Sequence, residues 1–425
     1  MRPGEPILII CHSFPPNYGI GGRRWAKFAK ELARRGHPVH VICSAGTPRD
    51  QGSLWTRDIQ APNIITHPLP NRYPNVLTRW PVTAFQDKLQ YAFWLRMLPL
   101  CTNGNWFDRG IFWRAPLLAT SEKLIREQGI RNVIVTGAPF SLMAYATELK
   151  QRIPDLHLVS DFRDMWTWGN YYGYQNIGAK RLRYEQRLEA LVAKLSDKLI
   201  SPYPAVINHM AEKHGVPNSH LAVVPHTIDP DDLPEPGGRP QDGMFRMIYA
   251  GSLYGTKEAE RYIELLFQAF ERVRENRPDS FAKCRFDLYI TDHGTAQLEQ
   301  QVKDRGLEKV IRFFAPLPPK EILQRIAEAD LVLAYLPHEK KDTMVTKLAE
   351  VSYLGRPILH IGEAGLVSRT ILDRRMGDTI TLNDLVAELP RIINGERTVA
   401  MDRSVEQEEH LLANITNILL EEVLV

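Results

Sequence analysis

Two stretches of this chain run in the same order: a strand, apolar at every position in the first and at all but one in the second, a glycine turn, then a helix with one apolar face. The first is Ile7-Leu8-Ile9-Ile10, followed by the loop Pro15 to Gly22 and by Trp25, Phe28, Ala29 and Leu32 at helical spacing up to Gly36. The second is Phe245 to Ala250, then Gly251-Ser252-Leu253-Tyr254-Gly255, then a helix over Glu258 to Glu275. A strand apolar at every position is buried on both faces, which marks a parallel sheet covered by helices. The strand His37 to Cys43 closes a β-loop-α-β unit within the first 45 residues. One start and one restart of this pattern predict an α/β protein of two doubly wound, Rossmann-like domains.

The length of 425 residues agrees, because single cores stop growing well below it. Strands over 132–136, 156–160 and 198–200 and a helix over 179–195 extend the first domain; strands over 285–290, 310–314, 331–334 and 357–361 extend the second. Residues 229–243, rich in Pro, Gly and Asp, have no periodicity and read as the linker. The expected division is 1–228 and 229–401. The amphipathic terminal stretch 402–425, apolar at Leu411, Leu412, Ile415, Ile418 and Leu419, is expected to pack back on the first domain.

A formal charge of +3 gives no reason to expect nucleic acid as a partner. Cys11, Cys43, Cys101 and Cys284 form no metal-ligand or disulfide spacing, which fits a reducing compartment. The start has no signal-peptide pattern, and no apolar run reaches 18 residues, so a cytoplasmic location is expected.

Three clusters carry chemistry. Gly19, Gly21 and Gly22 lie between a buried strand and a helix start, and read either as a tight turn or as a loop that brings N–H groups to a phosphate or acceptor. The spacing is not the dinucleotide fingerprint, and the second strand ends without the acidic residue that would hold a ribose. Asp161-Phe162-Arg163-Asp164-Met165-Trp166 stands at the carboxyl end of a strand; its charges read as an ion-pair knot or as cleft-lining groups that orient a sugar hydroxyl and neutralise phosphate. In Asp342 to Pro357, Thr346 is placed to cap a helix, Lys347 to meet phosphate, and Glu350 one turn along the same face; a plain surface Lys/Glu pair is the alternative.

With these residues in view, the chain resembles the retaining glycosyltransferases of family 4, which share the GT-B fold. The segments Ile7 to Gly22 and Arg35 to Val41 resemble that family's first strand, acceptor-side glycine loop and second strand. Thr136-Gly137-Ala138-Pro139-Phe140-Ser141 with the Asp161 to Trp166 cluster resembles members acting in bacterial polysaccharide and lipopolysaccharide assembly. Gly251-Ser252-Leu253 with Lys257 is similar to the family's glycine-arginine-leucine turn and its later lysine, with Ser252 in the arginine position. The family's paired glutamates fall on Asp342 and Glu350, and no histidine stands where many members carry one near the Asp161 cluster.

The resemblance implies two domains facing a central cleft, with acceptor sites in the first and nucleotide-sugar sites in the second. It implies Asp161, Arg163, Asp164 and Lys257 in catalysis. Donor contacts fall to Gly251, Ser252, Lys257, Asp342, Thr346, Lys347 and Glu350, and acceptor-side contacts to Gly19, Gly21 and Gly22. The implied activity is sugar transfer from a nucleotide-diphosphate donor to a saccharide or lipid-linked acceptor, with no essential metal and no separate cofactor. A catalytically inactive donor-binding subunit of a glycan assembly complex is the alternative from another class.

The segment Arg72 to Leu118 is aromatic and basic, with Tyr73, Phe85, Phe93, Trp94, Trp106 and Trp113 interleaved with Arg72, Lys88, Arg96 and Arg109. Helical spacing reads first as core-facing aromatics. Peripheral contact with an anionic membrane surface is the second expectation.

Overall fold

The computed structural model describes residues 1–17, 19–47, 52–78, 82–169, 172–235, 239–291, 295–341, 345, 347–402 and 408–425. The chain divides into two compact units, Met1–Thr227 with Leu412–Val425, and Ile228–Leu411.

Among the described residues, the first unit holds a seven-stranded parallel sheet. Its strands are β1 (Ile7–Ile10), β2 (Val39–Ser44), β3 (Ile64–Leu69), β4 (Asn132–Gly137), β5 (His157–Phe162), β6 (Lys198–Ser201) and β7 (Leu221–Val223), in the order β3-β2-β1-β4-β5-β6-β7. Helices α1 (Arg23–Arg34), α2 (Phe85–Cys101), α3 (Arg114–Gln128), α4 (Ser141–Arg152), α5 (Ala179–Leu195) and α6 (Pro204–His214) accompany it. The period of two in β1 sorts its side chains: Leu8 and Ile10 join a core with Trp113 and Phe140, while Ile7 and Ile9 join another with Trp25 and Phe28. All four β1 side chains are fully buried, each worth roughly 1.5–3 kcal/mol of transfer free energy.

The second unit repeats the plan with β8 (Phe245–Gly251), β9 (Cys284–Ile290), β10 (Ile311–Phe314), β11 (Leu331–Tyr335), β12 (Ile358–Ile361) and β13 (Gly377–Ile380), all parallel in the order β10-β9-β8-β11-β12-β13. Its helices are α7 (Lys257–Asn276), α8 (Pro278–Ala282), α9 (Ala296–Asp304), α10 (Pro319–Glu328), α11 (Lys347–Tyr353), α12 (Leu366–Asp373) and α13 (Leu385–Ile393). In both sheets chain order reverses beside a central strand, β1 or β8, and ligands of open α/β sheets bind at the carboxyl ends of such strands.

The return to the first unit begins at Leu412, ten residues later than the sequence suggests. Asp402 is still tied to Arg375 of the second unit by a backbone bond of 2.9 Å and an ion pair of 3.2 Å. From there α14 (Leu412–Ile418) and the helical turn Leu419–Val423 that follows it put Leu412, Ile415, Leu419 and Val423 into the core that holds Trp25. Asn132 clamps Val425 through both its carbonyl and its N–H, at 2.9 and 3.2 Å.

The core-facing reading of 72–118 holds for Tyr73 and Trp113, which are buried, and fails for α2. Phe85, Leu89, Phe93 and Leu100 are exposed there, and Leu98 is that helix's buried residue. No helix among the described residues is long and apolar enough to cross a membrane.

Candidate functional site

In the first unit the glycine loop ends in a short 3-10 turn, Ile20–Gly22, that runs directly into α1. Gly19 stands at φ 117°, a conformation open to glycine. Gly22 is required for a different reason: a Cβ there would lie 2.1 Å from the Ser13 carbonyl oxygen. No side chain caps α1, so its first N–H groups are not taken by a cap.

Asp161, expected at the chemistry, is instead enclosed, with no exposed surface. Its Oδ2 accepts from Trp25 Nε1 at 2.7 Å, Thr136 Oγ1 at 2.9 Å and Arg24 Nε at 3.3 Å. A carboxylate so placed joins α1 to β4 and β5 and has no approach for a sugar; it is a buried anchor. Arg163 adopts the ion-pair knot. It donates to the carbonyls of Gly21 at 2.5 Å and Ala138 at 3.3 Å, and to Asp164 at 3.1 Å. Burial opposes its charge, but the Asp164 carboxylate together with Tyr172 and Cys11 outweighs burial and holds Arg163 above the ordinary arginine value. Arg163 thereby fixes the glycine loop against the β4–α4 turn and acts as a positioning residue. Asp164 also accepts from the Tyr172 hydroxyl at 2.8 Å, and of the cluster's two carboxylates it is the one that keeps solvent contact. Tyr172 is held at φ 60°, an uncommon backbone state that marks local constraint.

Three further carboxylates support this region, and the sequence reading missed them. Asp108 accepts from the N–H groups of Gly110, Phe140 and Ser141 and from the Ser141 hydroxyl, pinning the start of α4. Burial nevertheless keeps its pKa raised. Glu185 and Glu189, one turn apart on α5, hold the end of the Asp161–Trp166 segment: Glu185 accepts from Trp166 Nε1 at 3.0 Å and Asn105 N at 2.6 Å, Glu189 from Thr167 N at 2.9 Å. Burial lifts Glu185 to about 7. Glu189 goes the other way: burial would raise it, but the Thr167 N–H, His214 and Lys213 together hold it below the usual range. Glu189, His209 and His214 bring possible metal-ligand atoms within 4.8 Å of one another, yet the carboxylate already has His214 at 3.0 Å and the Lys213 ammonium at 3.3 Å.

In the second unit β8 ends at Gly251, and one lysine reaches it while another opens the helix that follows. Lys257 is exposed and opens α7, whose Thr256 cap accepts from Ala259 N at 3.1 Å. Lys347, the first residue of α11, reaches back so that its Nζ lies 3.3 Å from the Ala250 carbonyl oxygen. Glu350 lies one turn further on and is buried. Ser252, in the arginine position, turns its hydroxyl to the Tyr254 N–H at 3.0 Å. Asp342 and Thr346 lie outside the described residues. A cavity of about 410 Å³ opens where β12 and β13 end, lined by Glu258, Arg261, Gly362, Glu363, Thr381 and Asn383; no local motif announces it.

Two parallel, doubly wound units of this kind define the GT-B fold, and solved structures agree. Sucrose-phosphate synthase from Thermosynechococcus elongatus aligns with a TM-score of 0.58 at 13% identity, covering 99% of this chain and 95% of its own. The lipopolysaccharide outer core galactosyltransferase WaaB aligns at 0.56 and 13%, covering 98% and 99%. UDP-GlcNAc 2-epimerase from Neisseria meningitidis, bound to UDP-GlcNAc, aligns at 0.58 and 11%, covering 99% of each chain. At such identities the likeness is one of fold. Sequence adds the second step: residues 21–227, nearly the whole first unit, match the family model of the glycosyl transferase 4-like domain. The chain thus carries a glycosyltransferase-like domain on a GT-B fold. No curated protein matches it in sequence.

Proposed function

We propose that this protein is a retaining glycosyltransferase that moves a sugar from a nucleotide-diphosphate donor to a hydroxyl of a saccharide or lipid-linked acceptor in cell-surface polysaccharide assembly. The supporting observation is Lys347, whose Nζ lies 3.3 Å from the Ala250 carbonyl oxygen near the end of β8, with Lys257 opening the helix that follows that strand. A lysine ammonium at the end of a switch-point strand, with a second lysine at the start of the following helix, suits a diphosphate.

In this reading the bond from the anomeric carbon to the diphosphate breaks while the acceptor oxygen bonds to the same face. The acceptor proton passes to the departing diphosphate oxygen. Lys257 and Lys347 neutralise the charge that develops there, Glu350 holds the donor ribose, and Asp342 meets a sugar hydroxyl. Gly19, Gly21 and Gly22 shape the acceptor side, with Arg163 and Asp161 positioning them and Asp164 reaching substrate. Catalysis is then positioning plus electrostatic stabilisation, with no step assigned to a divalent ion.

The test is a thermal-shift and turnover screen against UDP, GDP, dTDP and ADP sugars, with Lys257→Ala and Glu350→Ala alongside. Stabilisation by one donor class, weakened roughly 10- to 100-fold in apparent affinity by Lys257→Ala, is the expected outcome. Stabilisation without turnover favours the donor-binding subunit, for which Ser252 in the arginine position is the specific observation. Interconversion of the nucleotide sugar without acceptor would make it an epimerase. No response to any donor would refute the proposal.

A further inference from the structure

Helix α2 is apolar on nearly every side and yet lies at the surface. At about 100° per residue, Phe85, Leu89, Phe93 and Leu100 fall within roughly a quarter of the helix circumference. They are 75%, 57%, 55% and 77% exposed. The opposite side carries Tyr91, Trp94 and the buried Leu98, and the Arg181 guanidinium of α5 donates to the carbonyls of Pro99, Thr102 and Gly104, so the end of the helix is tied to α5. A helix apolar all round is ordinarily enclosed, and soluble surfaces seldom leave such a stripe uncovered.

We infer that the outer face of α2 seats in the interfacial layer of a bilayer carrying anionic phospholipid. Charge selects this occupant. Arg96 lies in the middle of the stripe and Lys88 on its flank, both exposed, and among the described residues neither is held in an ion pair. Asp87 points to the other side of the helix. Apolar side chains with one long cationic stem among them and another at their flank match acyl chains beneath anionic headgroups, each stem carrying its charge up to headgroup level. A second copy pairing through the same stripe would bury both Arg96 guanidiniums in an apolar contact, with no carboxylate in the stripe to pair them. A 17-residue helix spans about 25 Å and lies in the plane of the membrane, in keeping with the lack of any spanning helix among the described residues. This inference goes beyond the glycosyl-transfer proposal and is read without donor or acceptor.

The experiment is flotation of the full chain with vesicles of phosphatidylcholine alone and with about one third phosphatidylglycerol, at low and high salt. Flotation with the anionic vesicles, weakened by salt, is expected. The variant Phe85→Ser/Leu89→Ser/Phe93→Ser should lower it at least about tenfold. Lys88→Glu/Arg96→Glu, which leaves the apolar stripe intact, should also lower it, so the inference stays testable if the triple variant does not fold. Failure of the wild type to float with anionic vesicles, equal flotation with both vesicle types, or undiminished flotation of both variants overturns it. So does light scattering that finds a wild-type dimer abolished by the triple variant, since the stripe would then be an interface between copies.

Discussion

Raising the pH from about 5 to about 8 should weaken the first unit through one side chain, Glu185, by roughly 3 kcal/mol. The carboxyl is almost fully buried and its pKa is lifted from 4.5 to about 7, burial outweighing the N–H donors of Asn105 and Trp166. A group raised on folding holds more protons in the folded state than in the unfolded chain between those two values. Its contribution is therefore fully present below pH 4.5 and lost as the pH rises through 7. A difference of about 2.5 pKa units at 1.36 kcal/mol each sets the magnitude. Glu185→Gln does not titrate. It should cost roughly 1–3 kcal/mol in acid, where its amide NH₂ faces one of the two N–H donors, and the deficit should shrink by roughly 3 kcal/mol by pH 8. Urea unfolding followed by tryptophan fluorescence measures this in the first unit alone, because all eight tryptophans lie between Trp25 and Trp168. Wild-type and variant stabilities that stay parallel across this pH range would refute the assignment.

Asp161→Ala should cost roughly 3–5 kcal/mol in the same unfolding assay, because it leaves the Arg24 guanidinium, Trp25 Nε1 and the Thr136 hydroxyl buried without their acceptor. A variant that keeps its stability and loses only turnover would make Asp161 a reagent after all. Gly22→Ala should lose roughly 1–3 kcal/mol, since its Cβ has to displace the Ser13 carbonyl from 2.1 Å; an unchanged urea midpoint would show that the loop accommodates a methyl group.

The central strands were legible in the sequence because they are buried on both faces. β1, β4 and β8 sit inside their sheets, β1 as a continuous apolar run and the others around the apolar runs Val133–Val135 and Met247–Ala250. β3, β7 and β13 went unread, and each is an edge strand. An edge needs less apolar surface: β3 has exposed and half-buried positions and contains Pro68, which an edge tolerates, while β7 is three residues long. The site divides along a similar line. Glycine turns and the lysines that open helices are local features, so the places of Gly22, Lys257 and Lys347 at helix starts were readable. Asp108, Glu185 and Glu189 act on groups 32, 19 and 22 residues away, and nothing in their own neighbourhoods signals the partner. Asp161 shows the converse. Its place at a strand end was readable, but its enclosure depends on Trp25, contributed from 136 residues away.

Helix α2 shows why an aromatic count does not by itself reveal burial. Trp113 and Tyr73 reach the interior, and the same expectation applied to Phe85 and Phe93 fails. The distinction lies in phase. A core helix keeps one polar side for solvent, whereas α2 places Leu98 and Trp94 on one side and Phe85, Leu89 and Phe93 on the other. Such a helix has one face more than its own unit covers, and the buried Leu98 lies on the side that is covered. The cations follow the uncovered side: Arg96 shares its phase with the exposed stripe and Lys88 borders it, while Asp87 shares its phase with Leu98. A helix merely left loose on the surface has no reason to sort its charges this way, which is why reversing Lys88 and Arg96 tests the membrane inference more sharply than removing the phenylalanines.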